Sequence, residues 1–75
     1  MKTLDEVLAE MERVARDVEA TSDYDGYVMQ AQATIRLVAA IRVLDAAYDE
    51  ADENDGAKQD ARDRACAILT GATPP

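Results

Sequence analysis

The sequence predicts an all-α protein: a small antiparallel three-helix bundle with a long central second helix, able to dimerise through that helix. Three observations carry this expectation. Apolar residues recur at spacings of three and four along three segments. Two turn-forming clusters, Thr21–Gly26 and Asn54–Gly56, separate those segments. No stretch shows the strict alternation of a strand, and 75 residues hold a single core.

Helix 1 is expected over residues 4–20. Thr3 and Glu6 form a capping box, T-x-x-E, which satisfies free amide donors at the helix start. Leu4, Val7, Leu8, Met11, Val14, Ala15 and Val18 then make one apolar stripe. Glu12 and Arg16 stand four apart in the favourable order on the polar side. Ser22, Asp23 and Asp25 in the following turn can each cap the next helix.

Helix 2 is expected over residues 27–52. Tyr27, Gln30, Thr34, Leu37, Ile41, Leu44 and Tyr48 alternate at three and four, a heptad seam suited to a bundle core. A second apolar stripe, Val28, Ile35, Ala39, Val43 and Ala46, lies on another side of the same helix. It exceeds what one bundle position needs and is the candidate oligomer interface. Helix 3 is expected over residues 57–69, with Ala57, Ala61, Ala65, Ile68 and Leu69 inward. Gly71 ends it, and residues 70–75 form a tail.

Composition narrows the function. Apolar residues make up 48% of the chain, but there is no Phe or Trp and only 3 Tyr, so the core is shallow and aliphatic. A chain of this size buries only about 60–65% of its unfolded surface, and a partner would add stability. The net charge of −8 repels nucleic acid and anionic membrane and attracts basic surfaces. No apolar run is long enough for a membrane span, and the start MKTLDEV lacks the apolar core of a secretory signal. The single cysteine, Cys66, cannot form an internal disulfide, which fits a reducing cytoplasm.

Catalysis and metal binding find little support. With no histidine, neither a Ser–His nor a Cys–His pair exists. Asp23, Asp25 and Gly26 have the D-x-D-G spacing of a calcium loop. In that register, however, the first ligand position falls on Thr21 and the twelfth on uncharged Gln32. The second turn fails likewise, with Ala51 and Arg62 at those positions. Asp45, Asp49 and Asp52 share a face of helix 2 but lack converging carboxylates from helix 1, so a carboxylate-dependent metal site is only a minor alternative. No enzymatic activity, no cofactor and no metal are expected. The dispersed Arg36, Arg42, Arg62 and Arg64 offer no stacking platform for nucleic acid.

In size, acidity and helix count the chain resembles acyl carrier proteins. Their Asp-Ser-Leu signature is missing, since the lone serine, Ser22, sits between Thr21 and Asp23. In the same bulk properties it resembles small acidic phage-encoded inhibitors, anti-CRISPR proteins among them. That likeness implies a non-enzymatic protein that occupies the basic surface of a nucleic-acid-binding partner.

The negative charge gathers in residues 21–30 and 49–60, which carry −2 and −5. Both segments join helices, so the two poles of the bundle are acidic. The candidate partner-binding residues are Asp23, Tyr24, Asp25 and Tyr27 at one pole. At the other they are Tyr48, Asp49, Glu50, Asp52, Glu53 and Asp55. Tyrosine beside carboxylates suits a protein interface, because it adds rigid area and a polar tip. The alternative is a structural or regulatory homo-oligomer or adaptor, working through the second stripe of helix 2.

Overall fold

The computed structural model describes the backbone of residues 1–50 and 55–75, and side-chain surroundings for residues 1–48 and 56–75. It is all-helical: α1 (Leu4–Thr21), α2 (Asp25–Glu50) and α3 (Asp55–Thr70), with no strand among the described residues.

Each helix end follows from its local sequence. Thr3, in extended conformation, accepts the Glu6 amide on its hydroxyl at 3.2 Å and so starts α1. Ser22 closes α1 by donating its amide to the Val18 carbonyl at 2.9 Å. Its hydroxyl then accepts the Tyr24 amide at 3.2 Å, so the α1–α2 turn rests on Ser22. Asp25 falls inside the first turn of α2, where its charge meets the positive end of the helix dipole. At the far end, Gly71 adopts φ +83°. The Gly71 amide bonds the Ile68 carbonyl at 3.2 Å and the Ala72 amide the Ala67 carbonyl at 2.9 Å. This is a Schellman stop, which favours glycine because a Cβ is strained at that φ.

The helices form one layer. α2 packs against both α1 and α3, whereas α1 and α3 do not touch among the described residues. The extents are 46 × 33 × 12 Å, so the least dimension is about the diameter of a single helix. Leu4, at the start of α1, shares a recess with Ile41, Leu44 and Tyr48 late in α2. Val18, near the end of α1, packs with Ala15, Ala31 and Ile35.

Alanine makes the layer close. Of the nine buried residues among those described, five are alanines (Ala15, Ala31, Ala40, Ala61 and Ala65), beside Leu8, Ile35, Val38 and Ile68. Small side chains let helix axes approach within the 8–10 Å of ordinary packing while burying little volume. One cluster, Ala15, Ala31 and Ile35, joins α1 to α2. A second, Ala40, Ala65 and Ile68 with Ala39, Val43 and Leu44 against it, joins α2 to α3. A charged bridge reinforces the first: Arg42 donates to Glu12 at 2.6 Å, and Arg16 donates to the other carboxylate oxygen at 3.1 Å. These two hydrogen bonds hold the Glu12 carboxyl below its ordinary pKa, Arg16 contributing most.

A flat layer cannot bury everything that the helical stripes offer. The α1 stripe is only part covered: Leu8 and Ala15 are buried, while Leu4 and Val14 remain about half exposed. In α3, Ala61, Ala65 and Ile68 face α2 and Leu69 stays exposed.

Candidate functional site

The heptad seam of α2 does not enter a closed core. Tyr27 is 58% exposed, Leu37 42% and Tyr48 57%. All belong to one helical phase together with Gln30, Thr34, Ile41 and Leu44. Beside this seam, the α1 stripe presents Leu4, Val7, Met11 and Val14. The two stripes form one apolar face across α1 and α2.

The face is grooved. Val7, Met11, Val14 and Val18 of α1 line an open recess of about 570 Å³ with Tyr27, Gln30 and Thr34 of α2. Ala15 and Ala31 lie at its base and Glu10 at its margin. Farther along the groove, Leu4, Ile41, Leu44, Asp45 and Tyr48 line a second recess of about 320 Å³. No buried polar side-chain atom lacks a partner among the described residues, and the Thr34 hydroxyl is engaged with the Gln30 carbonyl at 3.0 Å. The polar groups of the larger recess, Glu10, Gln30, Thr34 and the Tyr27 hydroxyl, are outnumbered by its apolar side chains. Apolar side chains of a protein match it better than a small polar ligand.

The second α2 stripe is largely used within the chain. Ile35 is 6% exposed, at the α1 contact. Ala39 and Val43 pack on the α3 cluster, Val28 is half-buried, and Ala46 is exposed. Sequence periodicity distinguishes two stripes on α2 but assigns the large one to the core. The layer reverses that assignment in part, because α1 and α3 take opposite flanks of α2. Leu44 packs on the α3 cluster and Thr34 and Ile41 are half-buried, while Tyr27, Gln30, Leu37 and Tyr48 stay exposed between the flanks.

At the first acidic pole, Asp23, Tyr24, Asp25 and Tyr27 are exposed. The Tyr24 and Tyr27 rings meet edge to face at 4.9 Å and 69°. A Cβ at Gly26 would stand 2.6 Å from the Tyr24 ring, so the glycine makes room for that ring. Gly26 has no positive φ. Among the described residues no three acidic, cysteine or histidine side chains gather as a metal site. At the second pole, Tyr48 is exposed, with the Lys58 ammonium 5.3 Å from its ring centroid. The side chains of Asp49, Glu50, Asp52, Glu53 and Asp55 lie outside the described residues. Cys66 is a free, exposed thiol.

No described helix is long and apolar enough to cross a membrane. Comparison with protein-family models, curated proteins and solved structures finds no match to this chain.

Proposed function

We propose that the chain is a small acidic, non-enzymatic protein-binding module whose working surface is the apolar face of α1 and α2. In this reading α1 and α3 both run antiparallel to α2, which leaves the groove open along the layer. The observation that carries it is the distribution of exposed apolar groups. Eleven large apolar side chains are exposed among the described residues, and seven of them lie on this face: Leu4, Val7, Met11, Val14, Tyr27, Leu37 and Tyr48. Scattered exposed apolar residues are ordinary, but a contiguous set of this extent marks an interaction site.

The test is site-resolved. A photo-crosslinking residue at Met11 or Leu37 should give discrete protein adducts in the native host, and one at the exposed Arg13 should not. Equal labelling from all three positions, or none from Met11 and Leu37, refutes the proposal.

A second reading makes the acidic poles the working surface against a basic groove on a nucleic-acid-binding partner. It is favoured by the exposed Asp23 and Asp25 beside the edge-to-face pair of Tyr24 and Tyr27. Such binding weakens steeply with salt, whereas apolar docking does not. Full affinity in a variant with both Asp23 and Asp25 changed to Asn counts against it.

A further inference from the structure

We propose that the occupant of the α1–α2 face is a second copy of this chain, seated front to front with the two α2 seams antiparallel. The proposal rests on the protein-binding reading above and names its partner.

Area is the first support. A compact folded monomer of 8.1 kDa exposes about 4,500 Å². This chain exposes 5521 Å², an excess of roughly 1,000 Å² over that expectation. A standard interface covers about 800 Å² on each partner. The radius of gyration agrees: 13.9 Å, against about 11 Å for a compact chain of this length. One isologous contact would hide an area of the size by which this chain is over-exposed.

Shape is the second. The seam is uneven along its length. Its first half carries Tyr27, Gln30 and Thr34 beside the recess of about 570 Å³, and its second half carries Ile41, Leu44 and Tyr48 beside the one of about 320 Å³. A two-fold axis perpendicular to α2 lays the more apolar second half of one copy over the larger recess of the other, twice. Leu37, midway along the seam, then faces its own symmetry mate.

Charge selects the same orientation. Residues 49–60 carry −5 and residues 21–30 carry −2. Parallel seams would set each segment beside its twin, whereas antiparallel seams place the two −5 segments at opposite ends of α2. Its 26 residues span about 39 Å, well beyond the roughly 10 Å screening length at moderate salt.

Sedimentation of the full chain from about 5 to about 300 µM tests this, at about 50 and about 500 mM NaCl. The expected mass rises from 8.1 kDa towards twice that value. Association should be tighter at high salt, because each copy carries −8. V14E with L37E should stay helical and weaken association at least about thirtyfold. M29E, on an exposed residue outside the groove, should leave it unchanged. In a C66S background, L37C should oxidise to a covalent dimer and M29C should not. A monomeric mass throughout overturns the proposal, as does a dimer unaffected by V14E with L37E, or equal crosslinking of L37C and M29C. If the chain is monomeric while crosslinks from Leu37 reach a different protein, the binding reading stands and the self-pairing fails. If Leu37 yields no adduct of either kind, both fail.

Discussion

Ile35 and Leu37 stand two residues apart on α2, yet the layer gives them opposite environments. Ile35 is 6% exposed among Ala15, Ala31 and Val18, and Leu37 is 42% exposed on the open face. Replacing each by glutamate therefore separates a layer from a closed bundle. Ile35→Glu forfeits about 1.5–3 kcal/mol of apolar burial. It also places a carboxylate where no cation is paired with it. Desolvation raises such a pKa by several units, and at neutral pH that costs about 4 kcal/mol more. The sum, about 6 kcal/mol, rivals the whole stability of a 75-residue domain, about 4–11 kcal/mol. Leu37→Glu should cost only about 1 kcal/mol, since much of that side chain is already in water. Urea denaturation followed by helical circular dichroism, at about 5 µM to keep association out of the comparison, measures both. The I35E variant should be unfolded or nearly so at neutral pH. It should recover as pH falls towards the unfolded glutamate value, because its raised folded pKa makes the native state take up the proton first. Equal losses, or a larger loss at Leu37, would show that the seam is the core and that the flat layer is wrong.

Gly71→Ala forces a Cβ into the left-handed region and should cost about 1–2 kcal/mol, a Tm decrease of several degrees in a thermal melt. Glu12→Gln should cost under about 1 kcal/mol at neutral pH, because its arginine partners are partly exposed. Glu12 has a lowered folded pKa, so its contribution is present above the ordinary value of 4.5 and is lost as pH falls through the folded value. The melting temperatures of E12Q and the parent should therefore converge in acid. Gly26→Ala gains up to about 1 kcal/mol of helix propensity but displaces the Tyr24 ring. Its stability should be close to the parent's, with the tyrosine signal in near-ultraviolet circular dichroism lost; retention of that signal would show that the ring contact does not depend on the glycine.

Three helices, the cap of α1 and the glycine stop of α3 were legible in the sequence because each rests on local chemistry. By contrast, α2 and α3 each start two residues earlier than expected, with Asp25 inside α2 rather than capping it. Thr3 caps α1 as its spacing with Glu6 implies, and Gly71 ends α3 as a glycine at that place should. The neighbours of each stripe were not legible. Periodicity gives the phase of a residue around its helix, but not which side of that helix another helix will occupy. On α2 the large residues of the seam outweighed the smaller stripe, so the core was assigned by size. The layer is held instead by alanines such as Ala31 and Ala40, whose value is the close approach they permit. The candidate face was thus present in the sequence as two correct stripes, on α1 and α2, read as facing inward.

An open seam and an alanine-rich interior are two consequences of one economy in the sequence. Among the described residues five of the nine buried ones are alanines, and each alanine buries far less area than the leucines and tyrosines left on the face. The single layer is therefore weakly held for the surface it orders. An occupant that binds only the folded chain stabilises it by RT ln(1 + [L]/Kd), about 2.7 kcal/mol at a hundred times Kd. Against a native stability of about 4–11 kcal/mol, that is a large fraction. Occupancy of the groove and folding of the layer are consequently linked, and the melting temperature should rise with the concentration of whatever fills the face. If the occupant is a second copy, protein concentration alone suffices.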